Sequence, residues 1–330
     1  MTKIEAARQE YMDWCHAVGI DTIEKLNEAL ALGKGIELIN LCEARQERKY
    51  ADAADQIYWN RRDCRIVMMS GPSSSGKTSS SLRIAQQARV LGLNPKVIEL
   101  DNYFLDRDRT PRDENGEYDF EALEAMDVEY LNMQLSALLR GEEIEVPKFD
   151  FASGCRKSSG CRLSLGENDI LFMEGIHALN PALTPAIPQD KIFRIYISAL
   201  TALPGGTKDH NSTTDKRLLR RIVRDNRTRG ISPEQNILRW PSVRRGEVKY
   251  IFPFEENANL VFNSSTLYDL PLLKYYAEPL LCGISESSPA YAKAQELLSF
   301  VSMVTPLKPV EIADIPPTSI MREFIGGQTL

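Results

Sequence analysis

The chain has 330 residues, 43 % hydrophobic and 26 % charged, which fits a globular protein with one large α/β domain and room for a small appendage. Its net charge of −6 argues against a nucleic-acid coat or an anionic membrane surface as the main partner, so nucleic acid is expected at most at a local basic site. No run approaches the ~20 apolar residues that span a bilayer, the start Met1-Thr2-Lys3-Ile4-Glu5 is polar, and the six cysteines are scattered, so reduced thiols and a cytoplasmic location are expected.

Residues 1–60 read as helical, with Ile4, Ala7, Tyr11 and Trp14, then Ile23, Leu26 and Leu30, then Ile36, Ile39 and Ala44 at helical spacing. Gly19 and Gly33-Lys34-Gly35 punctuate them. This part is expected to be an N-terminal helical appendage that either docks on the remainder, residues 61–330, or mediates homo-oligomer assembly. After Arg65 comes the apolar run Ile66-Val67-Met68-Met69, a Gly/Ser loop, and a helical pattern through Leu82, Ile84, Ala85, Ala88 and Leu91. Pro95 then precedes a second run, Val97-Ile98-Glu99-Leu100. Strand, loop, helix, strand is the unit of a parallel sheet. Runs at 170–173, 192–197 and 260–262 predict further strands. The fold class is therefore α/β, a parallel sheet flanked by helices.

Gly71-Pro72-Ser73-Ser74-Ser75-Gly76-Lys77-Thr78 matches G-x-x-x-x-G-K-[ST] in full, between a predicted strand and a predicted helix. Glycines let the backbone turn its N–H groups toward phosphate oxygens, and the helix that starts here adds its positive dipole end. Lys77 supplies a cation to the β- and γ-phosphates and Thr78 a hydroxyl to Mg²⁺. A bound nucleoside triphosphate, ATP, follows, with Gly71, Ser73, Ser74, Ser75, Gly76, Lys77, Thr78 and Ser79 around its phosphates. The base-reading element of a guanine-nucleotide switch is missing, since Thr207-Lys208-Asp209-His210 sets its acid one position early. Asp113-Glu114-Asn115-Gly116 reads as a turn.

Asp101 follows the second predicted strand, where ligands gather in parallel sheets. It is placed either to take the proton of an attacking hydroxyl or to cap a turn with Asn102. Glu174 ends the third run and is either an acid near Mg²⁺ or an ordinary strand-terminal acid. Arg217, Arg220, Arg221 and Arg224 recur at three- and four-residue steps on one helical face, with Leu218, Ile222 and Asp225 toward another. That helix, about 213–230, is a lid over ATP, a solvated basic face or an RNA contact.

Together these pieces resemble the uridine kinase / phosphoribulokinase family of P-loop kinases, and most of all a bacterial-type nucleoside kinase branch. Besides the loop, the matching residues are Leu100-Asp101-Asn102-Tyr103-Phe104, Glu117-Tyr118-Asp119-Phe120-Glu121, Pro147-Lys148-Phe149-Asp150-Phe151 and Glu174-Gly175-Ile176-His177. Arg220-Arg221-Ile222-Val223-Arg224-Asp225, Tyr250-Ile251-Phe252-Pro253-Phe254 and the tail from Ser319 to Gly327 complete the set. The resemblance covers about residues 36–330.

It implies a nucleoside 5′-kinase using ATP and Mg²⁺, with a nucleoside as its small-molecule partner. Asp101 would be the catalytic base, with Lys77 and Arg224 acting on the transferred group. Asp119 would bind the ribose hydroxyls, with Tyr103, Phe149, Arg156 and His177 near the substrate. Glu174 and Thr78 would face the metal, and Arg221, Arg224 and Arg229 the phosphates. Phe149 and Gly154 stand where uridine–cytidine kinases carry the Tyr and His that read the pyrimidine edge. A site without those groups discriminates poorly between bases. A second expectation therefore keeps the fold and takes a sugar phosphate or vitamin alcohol as acceptor. A third is a nucleotide-gated RNA-binding or regulatory module. The segment Pro204-Gly205-Gly206-Thr207-Lys208-Asp209-His210-Asn211 departs from the family.

Overall fold

Ahead of the phosphate loop lie three helices, α1 (Lys3–Ala17), α2 (Ile23–Ala31) and α3 (Gly35–Asn60). Thr2 opens α1 with a capping box: its side chain accepts from the Glu5 N–H, and the Glu5 carboxylate accepts from the Thr2 N–H at 2.7 Å. The computed structural model describes residues 1–112, 116–201, 203 and 212–330. The atypical segment 204–211 and most of the turn at 113–116 lie outside the described residues.

The apolar run after Arg65 forms β1 (Ile66–Ser70), followed by α4 (Lys77–Val90) and β2 (Asn94–Glu99). β2 takes in Pro95, expected ahead of it, and releases Leu100 to a 3₁₀ turn, Leu100–Tyr103. It is an edge strand, where a residue without an N–H is tolerated. Then come α5 (Val128–Leu139) and the antiparallel hairpin β3 (Ile144–Asp150) and β4 (Cys155–Leu163). The sequence pattern did not announce these two strands, because Pro147 interrupts one and the other is polar and almost wholly exposed. β5 (Asp169–Glu174) and β6 (Ile192–Ser198) follow, then α6 (Ser212–Arg229), α7 (Pro233–Tyr250) and β7 (Leu260–Asn263). The chain ends in α8 (Asp269–Cys282), α9 (Tyr291–Ser302), α10 (Pro309–Ala313) and α11 (Arg322–Ile325).

β1, β2, β5, β6 and β7 form one parallel sheet in the order β2-β5-β1-β6-β7. Successive side chains of β1 point to opposite faces. Val67 and Met69 pack with Tyr50, Ala53 and Ile57 of α3 and with Ile84 and Ala88 of α4. Ile66 and Met68 pack with Leu131, Leu135 and Leu138 of α5 on the other face. Both faces are covered, which is why the inner strands read as unbroken apolar runs. The last helix of the segment expected as an appendage, α3, thus lies directly on the sheet. A further cluster joins α1 and α2 to α6, α8, α9 and the C-terminal segment through Tyr11, Leu26, Leu219, Leu272, Phe300 and Phe324.

The strand order positions the site. β5 lies between β2 and β1, with Glu174 in register with Glu99 on one side and Met69 on the other. The carboxyl ends of three neighbouring strands therefore open on one place.

Candidate active site

The loop between β1 and α4 has the conformation its residues dictate. A Cβ on Gly71 would lie 2.0 Å from the Ile197 carbonyl oxygen, so β6 leaves room only for glycine. Gly76 sits at φ 83°, where a side chain is strained, and a Cβ there would meet Ile320 Cδ1 at 2.3 Å. Ser74 adopts φ 58°, the left-handed conformation that non-glycine residues take mainly at functional sites. The Ser74 and Ser75 hydroxyls are buried and unbonded among the described residues. Lys77 donates to Gly71 O at 2.8 Å and Pro72 O at 3.2 Å. Burial lowers its pKa, against the opposing pull of Glu174, Glu323 and Glu247. Its ammonium therefore gains from any nearby anion.

Two acids stand beside the loop. Thr78 Oγ1 donates to Glu174 Oε1 at 3.0 Å, while Glu174 Oε2 is buried without a partner among the described residues. Burial raises the pKa of Glu174, opposed by Lys77 and Thr78 and reinforced by Asp101. A carboxylate oxygen left bare beside a hydroxyl is a fitting donor pair for Mg²⁺, which would draw its other ligands from phosphate and water. Asp101, in the turn after β2, keeps part of its surface exposed, yet desolvation by the surrounding protein raises its pKa while Lys77 opposes the rise. Lys77, Thr78, Glu174 and Asp101 are thus brought together.

The arginine face of α6 is not solvated as a whole. Arg217 and Arg220 are 1 % and 0 % exposed. Arg217 forms a two-point pair with Glu247, at 2.5 and 2.9 Å, and donates to Ser73 O at 3.0 Å. Arg220 pairs with Asp269 at 2.6 Å and donates to Ser264 O at 3.0 Å. Lys216 is buried against Asp269 and Arg227 turns to the C-terminal segment, whereas Arg221, Arg224 and Arg229 face the loop. Arg221 donates to Ser73 Oγ at 2.9 Å, and Arg221, Arg224 and Arg229 line a cavity of about 240 Å³ with Ser73, Ser74 and Lys77. Asp225, expected on another face, is fully buried and gathers these three, with Arg224 Nε at 2.9 Å, Arg221 Nε at 3.4 Å and Arg229 Nη1 at 3.5 Å.

The acceptor-side candidates divide. Asp119 accepts from the Tyr250 hydroxyl at 2.7 Å, and the His177 ring meets Tyr250 edge-on at 5.8 Å. Burial lowers the pKa of His177 to about 4, so the ring is neutral. Phe149 packs edge-on against Phe104 and Phe151, and its N–H donates to Asn102 Oδ1 at 3.1 Å, tying the hairpin to the turn of Asp101. Arg156 is held by Asp127 at 2.8 Å, over the Tyr130 ring. Tyr103 is buried beside Tyr130, with its hydroxyl donated to Gln134 at 2.7 Å rather than left for a ligand.

The sequence model of the phosphoribulokinase / uridine kinase family matches residues 66–270, from the start of β1 into α8. The chain belongs to this family. A uridine kinase of Macrococcus caseolyticus is 27 % identical over 197 residues, 59 % of this chain and 86 % of that one. A uridine kinase of Halobacterium salinarum is 27 % identical over 196 residues, 59 % of this chain and 78 % of that one. A solved structure of a possible uridine kinase from Bacillus stearothermophilus aligns at a TM-score of 0.40 and 18 % identity, covering 64 % of this chain and 98 % of that one. Membership makes the chain a P-loop kinase and implies ATP, Mg²⁺ and a small-molecule acceptor. Among the described residues no helix is long and apolar enough to cross a membrane.

Several residues of this kinase site carried no signal of their own in the sequence. Glu247 accepts from the Ser73 N–H at 2.9 Å and from Arg244 at 2.5 Å as well as from Arg217. Burial would raise its pKa, but Arg217 and Arg244 outweigh that and lower it. Glu121 lines the phosphate cavity, and burial, with Glu247 and Asp119 nearby, raises its pKa to about 7. Arg107 fills the space a side chain at Gly154 would need: a Cβ there would lie 2.8 Å from Arg107 Cζ.

Proposed function

We propose that this kinase transfers the γ-phosphoryl group of ATP to the 5′-hydroxyl of a nucleoside. One observation carries the reading: the strand order β2-β5-β1 sets Asp101, Glu174 and the Lys77–Thr78 pair side by side, and their charges act on one another. Asp101 accepts the hydroxyl proton as the oxygen bonds to phosphorus and the bond to the ADP oxygen breaks. Its raised pKa suits a group that must take a proton and later return it to water. Lys77, Arg221 and Arg224 neutralise charge on the phosphoryl oxygens, and little covalent work remains for the protein. Mg²⁺, held by Thr78 and Glu174, would screen the β- and γ-phosphates. Asp119 and Tyr250 offer the polar pair for ribose hydroxyls, and the Phe149 ring, on the hairpin tied to the turn of Asp101, offers a face for a base. The named uridine kinases among the relatives support the nucleoside acceptor.

A coupled assay with ATP and a nucleoside panel tests this. Turnover of at least one nucleoside is expected, and Asp101→Asn should retain ATP binding while losing about a hundred- to ten-thousandfold in rate. A panel with no nucleoside turned over rejects the acceptor; near-normal turnover in Asp101→Asn rejects the base.

A second reading keeps the donor side and gives the acceptor an anionic group, as in a sugar phosphate. The guanidinium of Arg107 beside Gly154 favours it, donating to Phe151 O at 3.0 Å on the acceptor hairpin. Sugar phosphates in the same panel decide between the two.

A further inference from the structure

The residues matched by the family end at 270, yet side chains from 320 onward touch the phosphate loop. Ser79, in the first turn of α4, is 1 % exposed. Both hydrogen bonds of its hydroxyl go to the C-terminal segment: it donates to Glu323 Oε2 at 2.5 Å and accepts from Gln328 Nε2 at 2.7 Å. The other oxygen of Glu323 lies 4.0 Å from Arg224 Nη1 on α6. Arg227 of the same helix donates to the carbonyls of Phe324 at 3.3 Å and Glu323 at 3.4 Å. Ile320 covers Gly76 of the loop.

The segment is fastened to the body of the protein. Met321 and Phe324 are fully buried, and Arg220 lies over the Phe324 ring. Ser319 donates to Glu43 at 2.8 Å. Glu323 is therefore a carboxylate on a rigid support, and its charge reaches both Lys77 and Glu174. Nothing in the transfer reaction as derived above requires it.

We propose that Glu323 is a positioning residue of the phosphate site, setting the first turn of α4 and the Arg224 guanidinium at a fixed separation around the donor's phosphates. The proposal rests on the kinase reading. A carboxylate that bonds a hydroxyl on one helix and faces a guanidinium on another restricts both. Without Glu323, the one carboxylate paired with Arg224 among the described residues is Asp225, on its own helix, which does not tie it to α4.

The test measures ATP–Mg²⁺ binding by calorimetry on the full chain, beside turnover with uridine and adenosine, for Glu323→Gln and Glu323→Ala. Gln keeps an oxygen for Ser79 but has no charge for Arg224, and Ala keeps neither. Glu323→Gln should bind ATP–Mg²⁺ within about twofold of wild type and lose roughly tenfold in kcat. Glu323→Ala should lose roughly tenfold in affinity as well. The KM of the nucleoside and the thermal midpoint should stay at wild-type values in both. Tighter ATP binding or faster turnover in either variant overturns the proposal, because Glu323 would then obstruct the site. Equal losses in both variants that track a falling thermal midpoint overturn it in favour of a structural role. Unchanged binding and turnover overturn it alone and leave the kinase reading standing, whereas a wild-type chain that binds no ATP–Mg²⁺ overturns both.

Discussion

Thr78 donates its hydroxyl to Glu174 at 3.0 Å, joining the first turn of α4 to the end of the neighbouring strand and leaving the second Glu174 oxygen bare. Glu174→Gln tests whether that oxygen serves a metal. The amide still accepts from Thr78 but offers no charge. The Mg²⁺ concentration for half-maximal turnover should rise by roughly ten- to a hundredfold. The thermal midpoint without nucleotide should not fall, because the raised pKa marks a carboxylate whose ionised form folding disfavours. A Mg²⁺ titration identical to wild type would remove Glu174 from the metal site.

Glu121 gives the site a pH dependence of definite sign. Its pKa is raised from 4.5 to about 7, first by burial and then by Glu247 and Asp119. An acid whose folded pKa lies above its unfolded value contributes stability that is complete below about pH 4.5 and is lost as pH rises through about 7. Above that range the ionised group costs of order 1–3 kcal/mol. Glu121→Gln should therefore melt higher than wild type at pH 8 and equal to it at pH 4. The new charge also opposes a triphosphate, so wild-type ATP affinity should fall between pH 6 and 8 more than that of the variant. Parallel pH profiles in the two proteins would exclude Glu121 as the cause.

The arginines of α6 should separate into two classes. Arg217→Met leaves the buried Glu247 with Arg244 as its one paired cation among the described residues and should cost about 3–5 kcal/mol in urea unfolding. Arg224→Met leaves Asp225 its other two arginines and should change stability by less than about 1 kcal/mol. It should instead lower kcat by roughly a hundred- to a thousandfold. Equal destabilisation by both would mean that α6 holds the fold and presents nothing to the donor.

The contrast between these arginines also marks what local pattern can reveal. The phosphate loop and the inner strands are short-range features, an eight-residue motif and runs buried on both faces, and they were legible. The placement of Asp101 and Glu174 beside the loop was legible because a strand end beside such a loop is where ligands gather. Which arginine turns inward depends on Glu247 and Asp269, 30 and 49 residues further on. Glu247 itself sits among charged residues of α7 and resembles any solvated helix acid until Arg217 covers it. Glu323 meets Ser79 across 244 residues, a distance at which periodicity carries no information. The hairpin stayed hidden because its second strand buries almost nothing.

Under the nucleoside reading proposed above, Arg107 stands where it would act on the base. Gly154, at φ 70°, provides no side chain, and the Arg107 guanidinium occupies the space beside it near Phe151. A guanidinium only donates hydrogen bonds, so it pairs best with an edge free of donors, such as O6 and N7 of guanine or a carbonyl of uracil, and less well with adenine, whose N1 and N7 acceptors each flank the amino donor. A site built around one such donor can separate the two classes by roughly tenfold or more. Arg107→Ala should therefore shrink the ratio of kcat/KM for uridine or guanosine over adenosine toward one, with the KM of ATP unchanged. If the ratio stays fixed, Arg107 lies outside the base site. If instead turnover of a sugar phosphate is abolished while nucleosides are never accepted, the anionic-acceptor reading holds, with Arg107 on the phosphate.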